Sequence, residues 1–263
     1  MYMTWTSVTG DPNSPDALNY RRGQLAAGHQ KIQADRHQVI ADLCKGKKVL
    51  DVGCVDHDLL LSRRNDRWLH RHVASVAMQA VGVDSDDIGV HRMLAEGYDV
   101  ILADITGDIR EVENRGPFDV IVAGEVIEHL GNPQALFDAA SRLLAPGGKI
   151  VITTPNPYAP FRVRAGAFGR VWESVDHVIY AFPSGIAEMA DRAGLHLVMY
   201  GSEMPSFRYR LVPCLRHFVG AVYRRVQGER GGSNSGRFAL PLAPAWTTPM
   251  IGDTSVYLLE IAT

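Results

Sequence analysis

The feature that most constrains the fold is a repeated alternation of short apolar segments with longer, helix-favouring ones. The first apolar segment, Val49 to Val52, ends at Gly53 and is followed by a tight turn towards a helical stretch. Buried parallel strands have this short apolar pattern because both of their faces are covered. The remaining predicted strands are Ala80 to Val83, Tyr98 to Ala103, Phe118 to Ala123, Lys149 to Thr153, Leu195 to Tyr200 and Ser255 to Ile261. The alternation predicts an α/β fold with a mostly parallel sheet and helices on both faces.

Polar residues collect where the first five predicted strands end. Ligands of open α/β sheets bind at these carboxyl ends, and the turn into a helix offers backbone N–H groups to anionic or polar groups. A carboxylate inside a buried strand is costly without a partner, so Asp51 also points to a site. Each residue alone is equally consistent with an ordinary turn or a helix cap. The prediction rests on their agreement: Asp51 and Gly53, Asp84, Asp104, Glu125 and Asn156.

Composition excludes several other classes of protein. The chain has 263 residues, 46% hydrophobic and 21% charged, which suffices for one large domain with insertions. A formal net charge of −2 gives no bias towards nucleic acid or membranes. The three cysteines lack metal-ligand spacing and favour a reducing compartment. There is neither a secretory signal pattern nor an apolar run of about 18 residues, so we predict a cytoplasmic protein.

The predicted domain organisation has two parts. Residues 1–46 are predicted to form a loose arm (1–16) and a helical lid from about Leu18 to Cys44, and residues 47–263 the main domain. The charged residues of the helical segment also fit a solvated helix face. Residues 201–252 depart from the alternation and are predicted as an insertion between the last two strands. The insertion contains a predicted helix, Leu211 to Val226, with one apolar face. That face either packs on the domain, packs on a second subunit in a homodimer, or lies on a membrane surface as a peripheral contact.

Taken in order, several of these segments resemble one family. Roughly residues 47–200 resemble the class I S-adenosylmethionine-dependent methyltransferases. Within that family, the resemblance is to the subgroup that includes ubiquinone-biosynthesis and sugar O-methyltransferases. It implies a Rossmann-like, seven-stranded, mostly parallel sheet whose last strand is antiparallel, with S-adenosyl-L-methionine as cofactor. The matching segments are Val49 to Cys54, Gly82-Val83-Asp84, Ala103-Asp104, Phe118 to Ile121, Glu125 to Leu130, and Leu144 to Gly148 followed by Thr154-Pro155-Asn156.

The resemblance also implies roles for single residues. Asp84, beside Ser85, would accept hydrogen bonds from both ribose hydroxyls, because a carboxylate suits two adjacent O–H donors. Asp104 would accept from the adenine amino group, and Ile105 would lie against the adenine ring. Glu125 would line the wall near the sulfonium.

The turn Asp51 to Cys54, including Gly53, would lie against the methionine part of the cofactor. Here the chain departs from the family, which usually continues Gly-Cys-Gly-x-Gly, because Val55 and His57 replace two glycines that allow close backbone approach. Their loss also argues against a nicotinamide dehydrogenase, which needs Gly-x-Gly-x-x-Gly. The polar run Asp56 to Asp58 could contact the cofactor's amino group or the substrate. No metal site is predicted, because adjacent residues rarely converge on one ion without distant ligands.

Methyl transfer to a hydroxyl needs a base, and two histidines are candidates for this catalytic role. His129 follows the fourth strand, and His177 lies after the fifth, next to Asp176, which could orient it. Both histidines also fit purely structural positions, in a helix and in a polar loop.

The acceptor is predicted to be a small molecule or a glycan, with no nucleic acid partner. Arginines mixed with aromatic residues suit an anionic or sugar-like acceptor, although they equally suit a solvated surface. Two alternatives remain open: an N- or C-methyltransferase of the same fold, and a non-catalytic module that binds S-adenosylmethionine. The residues concerned are Tyr158, Phe161, Arg162, Arg164, Arg170, Trp172, Tyr180, Arg208, Tyr209 and Arg210.

Overall fold

The predicted sheet is present. The computed structural model describes residues 3–32, 36–56, 67–169, 174–203, 250 and 252–262. Their strands form one seven-stranded sheet in the order β3-β2-β1-β4-β5-β7-β6. Strands β1 to β5 pair in parallel, whereas β7 is antiparallel to both β5 and β6. This topology confirms the predicted fold class. The strands are β1 (Lys48–Val52), β2 (Gln79–Asp84), β3 (Val100–Leu102), β4 (Phe118–Gly124), β5 (Leu144–Pro155), β6 (Leu195–Ser202) and β7 (Thr254–Ile261).

Helices cover both faces of the sheet, because two separate sets of buried apolar residues lie on its two sides. One set joins the strands to α6, α7 and α9, and the other joins them to α3 and α4. None of the helices in the described ranges combines the length and apolar character needed to cross a bilayer. The helices are α1 (Trp5–Val8), α2 (Pro15–Gly28), α3 (Arg36–Cys44), α4 (Leu69–Val76), α5 (Asp87–Ala95), α6 (Arg110–Arg115), α7 (Pro133–Leu143), α8 (Pro160–Ala167) and α9 (Pro183–Arg192), with a 3₁₀ turn at Ile127–His129.

The N-terminal segment differs from the single long helix that was predicted. Helix α2 ends at Gly28, and the backbone N–H of Gln30 then donates to the carbonyl of Tyr200 on β6 at 2.9 Å. This hydrogen bond needs extended backbone, so the helical pattern is interrupted and α3 begins only at Arg36.

The first residues of the chain also have a defined place, where a loose arm was predicted. Trp5 on α1 donates its indole N–H to Glu188 of α9 at 2.8 Å. Arg21 of α2 lies 2.6 Å from the same carboxylate and 3.1 Å from Asp191. Helices α1 and α2 are therefore tied to α9.

Strand β5 begins earlier than predicted. Its first residue, Leu144, pairs with Phe118, and the register then jumps so that Lys149 pairs with Val120. Between the two lies Gly147 in the left-handed region, with φ of 75°. The sequence Pro-Gly-Gly therefore forms an irregular start of β5, whereas we predicted that it precedes the strand. The predicted helix Leu211 to Val226 lies outside the described residues, as do most of the predicted insertion and Arg170, Trp172, Arg208, Tyr209 and Arg210.

The contact between the segment after α2 and β6 predicts a specific stability effect. A Cβ added at Gly201 would lie 2.3 Å from the carbonyl oxygen of Gln30, which is backbone and cannot rotate away. We therefore expect Gly201→Ala to lower the free energy of unfolding by about 1–3 kcal/mol in urea denaturation. Gly185→Ala is the matched control, because that position in α9 has open space around it. The control should gain up to about 1 kcal/mol from helix propensity. Equal stability of the two variants would contradict the packing described here.

Candidate active site

The carboxyl ends of β1 to β4 surround a cavity of about 460 Å³, called here the first cavity. This volume is typical of small-molecule and cofactor sites. All the predicted cofactor residues except Asp51 lie along the wall of this cavity. Of the two predicted catalytic histidines, His129 is part of the wall and His177 is not. The predicted residues that line it are Gly53, Cys54, Asp84, Ser85, Asp104, Ile105, Glu125 and His129.

Asp84 ties the end of β2 to the turn that follows β1. Its Oδ2 accepts from the backbone N–H of Val55, and its Oδ1 accepts from that of Asp86, both at 2.9 Å. Burial raises the pKa of the Asp84 carboxyl, and these backbone donors oppose the shift. A carboxylate has about four lone-pair sites, so Asp84 keeps capacity to accept from a further hydroxyl donor. The predicted ribose contact therefore fits the geometry.

Asp104 holds the loop after β3. Its Oδ1 accepts from the backbone N–H of Thr106 at 2.8 Å and from the Thr106 hydroxyl at 2.7 Å. Both bonds end on the same oxygen, which leaves Oδ2 as the atom that could accept from an adenine amino group. The neighbouring Ile105 is 7% exposed and lines the first cavity, as a residue packed on a ring would.

The side chains of Cys54 and Val55, in the turn after β1, pack against two glycines on neighbouring elements. The Cys54 Sγ lies 2.6 Å from the position that a Cβ at Gly82 would take, and a Val55 methyl lies 2.3 Å from that of Gly89. The indole N–H of Trp68 donates to the Cys54 carbonyl at 2.9 Å. Sequence reasoning identified the lost glycines but missed these contacts.

Asp51 is buried and is not among the residues that line the first cavity. Its Oδ2 is 2.9 Å from Nδ1 of His70, and the two side chains are only 2% and 1% exposed. This partner resolves the cost of a carboxylate in a buried strand. His70 does line the cavity. Sequence reasoning missed it because a single histidine at the start of a helix gave no signal.

Glu125 forms the cavity wall at the end of β4 in an uncommon backbone conformation. Its φ is 57°, in the left-handed region, and its N–H donates to the Thr153 carbonyl at 2.8 Å. The carboxylate lies 2.8 Å from the guanidinium of Arg36 on α3. Arg36 therefore also belongs to the wall of the cavity.

The two predicted histidines are adjacent, and the predicted acidic residue, Asp176, interacts with both of them. His129 and His177 meet edge to face with ring centroids 4.8 Å apart. Asp176 lies 3.3 Å from Nδ1 of His129 and also interacts electrostatically with His177, the neighbour that it was predicted to orient. A hydrogen bond from the Ser174 hydroxyl at 2.5 Å helps to lower the pKa of the Asp176 carboxyl.

Glu128 is a buried carboxyl that sequence reasoning left without a role. Its Oε2 accepts from the Thr154 hydroxyl at 2.9 Å, whereas its Oε1 is buried and accepts no hydrogen bond from the described residues. Burial, followed by the charge of Glu125, raises the pKa of Glu128 to about 8. Donor atoms of Glu128, His129 and His177 lie within 4.8 Å of one another, so these side chains could together hold a metal ion. The acidic run predicted not to bind metal is described only as far as Asp56.

Comparison with known proteins identifies the family. Residues 20–200 match the family described as a methyltransferase domain, so the chain belongs to that family. This match confirms the predicted class, a class I S-adenosylmethionine-dependent methyltransferase. In the solved CcbJ methyltransferase of Streptomyces caelestis the fold is shared, with a TM-score of 0.52, 15% identity and coverage of 86% of this chain and 88% of that one.

Two curated relatives are ubiquinone biosynthesis O-methyltransferases. The protein of Colwellia psychrerythraea is 27% identical over 159 residues, covering 58% of this chain and 59% of its own length. That of Psychrobacter arcticus is 30% identical over 153 residues, covering 54% and 53%. The match therefore spans only a little over half the length of these relatives.

The packing of the turn predicts a coupling between two positions. Gly89→Ala places a methyl against Val55, so we expect S-adenosylmethionine binding to weaken at least about tenfold in calorimetric titration. Val55→Ala in the same chain removes the obstructing methyls and should restore most of the affinity. If the double variant binds S-adenosylmethionine as weakly as Gly89→Ala alone, the added methyl clashes with Asp86 and not with Val55. The Asp86 Oδ2 lies 2.7 Å from the added Cβ.

Glu128 predicts a pH-dependent stability. Because its pKa is raised to about 8 in the folded protein, the folded state holds the proton more tightly than the unfolded state between about pH 4.5 and 8. Stability should therefore fall as pH rises through that window, by an amount on the order of a few kcal/mol. Glu128→Gln should flatten this dependence in urea denaturation from pH 5 to 9. The exposed Glu111 on α6 supplies the control, Glu111→Gln, which should leave the pH profile as in the wild type.

Proposed function

We propose that this chain transfers the methyl group of S-adenosylmethionine to a hydroxyl group of a small molecule or glycan. One observation carries the proposal: Asp84, Asp104, Glu125 and the turn after β1 line a single cavity with a histidine in its wall. The names of the curated relatives, which are O-methyltransferases, support oxygen as the accepting atom.

Different residues of the cavity wall suit different parts of the cofactor. Asp84 would hold the ribose hydroxyls, and Asp104 with Ile105 would hold the adenine. The turn at Gly53 and Cys54 would lie against the methionine part, and Glu125 would line the wall near the sulfonium. When bound, the cofactor supplies an electrophilic methyl group on that sulfonium. The protein's task is to hold the acceptor oxygen in line with that methyl and to remove its proton.

His129 is the better candidate for the base. It lines the first cavity, and its Nδ1 faces the Asp176 carboxylate at 3.3 Å. With Nδ1 turned towards Asp176, Nε2 is the ring nitrogen that would accept the proton of the hydroxyl, and Asp176 would fix the ring and stabilise the imidazolium. His177 packs edge to face on the same ring and takes a positioning role.

Calorimetric titration with S-adenosylmethionine tests the cofactor assignment. We expect saturable binding by the wild type and at least about tenfold weaker binding by Asp84→Asn, because the amide replaces one acceptor oxygen with a donor. An absence of heat at high concentration would contradict an enzyme. Binding without transfer to any acceptor in a broad panel would favour a non-catalytic cofactor-binding module.

Methyl transfer to a panel of hydroxylated and amine acceptors tests the base. His129→Ala should lower kcat about 10²–10⁴-fold on a hydroxyl acceptor, with cofactor affinity retained. Asp176→Asn should shift the pH profile of kcat, and His177→Ala should cost less than His129→Ala. Full activity in both histidine variants, or transfer only to amines or carbon, would contradict the proposed base and favour the N- or C-methyltransferase alternative.

A further inference from the structure

A second cavity adjoins the first and shares part of its wall. It has a volume of about 570 Å³ and lies between α3, the start of α4 and the ends of β4, β6 and β7. Arg36, Arg67 and Glu125 line both cavities. Because Glu125 is the residue assigned to the wall near the sulfonium, the second cavity meets the first next to the predicted position of the methyl group.

The described lining of the second cavity is polar, apart from Ala41. On the helix side, His37 and His72 face each other with ring centroids 5.4 Å apart, beside Arg67. On the sheet side are carboxyl groups, among them Glu203 after β6 and Asp253 before β7. Such a lining gives an apolar molecule little surface on which to be buried. It offers hydrogen-bond acceptors to the hydroxyl groups of a ligand on the sheet side, and hydrogen-bond donors to an anionic group of the ligand on the helix side.

The two arginines differ in what they already bind. Arg36 is engaged, because its guanidinium lies 2.8 Å from Glu125 and its backbone N–H donates to Glu203 at 3.3 Å. The guanidinium of Arg67 forms no ion pair or hydrogen bond with the described residues. The backbone carbonyl of Arg67 lies 3.1 Å from Nε2 of His37. Burial raises the pKa of the Glu203 carboxyl, and the backbone N–H and charge of Arg36 oppose that shift.

We propose that the second cavity receives the acceptor, and that the acceptor is a small hydroxylated acid whose anionic group binds Arg67. This rests on the proposed function, since it places a hydroxyl of that acid beside Glu125, where the two cavities meet. A planar guanidinium binds carboxylate or phosphate through two parallel hydrogen bonds, which fixes orientation as well as position. The reacting oxygen is then set at a defined distance from the anion.

Matched pairs of probes test this, each pair differing in an acidic group: D-glucuronate and D-glucose, 3,4-dihydroxybenzoate and catechol, D-glycerate and glycerol. We expect the acid of at least one pair to show a kcat/KM at least about tenfold above its neutral partner. Arg67→Gln should bring that ratio towards one. Arg22→Gln is the matched control, because Arg22 is exposed on α2 and lines neither cavity, so the ratio should stay at the wild-type value.

The same pairs are also titrated into the protein with and without S-adenosylhomocysteine, so that binding is read separately from transfer. An acid preference in binding that Arg67→Gln removes supports the site even where transfer is absent. The proposal is overturned if the acids bind no better than their neutral partners, or if Arg67→Gln leaves the preference intact. Failure of the proposed function is distinct, since it is an absence of cofactor binding or of methyl transfer.

Discussion

The site depends on a steric fit between the turn after β1 and two glycines on neighbouring elements. Cys54 enters the space beside Gly82 on β2, and Val55 enters the space beside Gly89 on α5. The Asp84 carboxylate then accepts the N–H of Val55, so the turn, β2 and the start of α5 are joined at one point. The floor of the first cavity is thus shaped by packed side chains. A site held in this way is preorganised, because its backbone has few alternative conformations.

The sheet and its polar edge could be predicted because the signals are local. An apolar run that ends at a glycine or an acid marks a strand end, and parallel strands bring such ends to one edge. This reasoning placed Asp84, Asp104 and Glu125 along one cavity. It did not reveal the partner of Asp51, because that carboxylate's environment depends on His70, which the fold brings within 2.9 Å.

The N-terminal helical segment shows a second limit of prediction from local sequence. Residues 18–44 favour helix throughout, yet the hydrogen bond from Gln30 to Tyr200 holds extended backbone between α2 and α3. Propensity is a weak preference that such tertiary contacts override. The interruption has a consequence for the site, because it separates α3 from α2 and α3 presents Arg36 to Glu125. Neither the break nor this ion pair has a signature in the local sequence, although together they complete the wall shared by both cavities.

Glu125 and Glu128 show how the fold tolerates two carboxyl groups three residues apart, one in the cavity wall and one buried. The pKa of about 8 keeps Glu128 largely protonated at neutral pH, and Arg36 compensates the charge of Glu125. The environments thus separate the two groups into one neutral acid and one ion-paired carboxylate. Left-handed backbone costs a non-glycine residue on the order of 1 kcal/mol or more, so Glu125 holds its φ of 57° only because its surroundings impose it. This strained residue lies where the two cavities meet, and its conformation directs its carboxylate to Arg36 at that boundary, where the proposed acceptor and cofactor would come together.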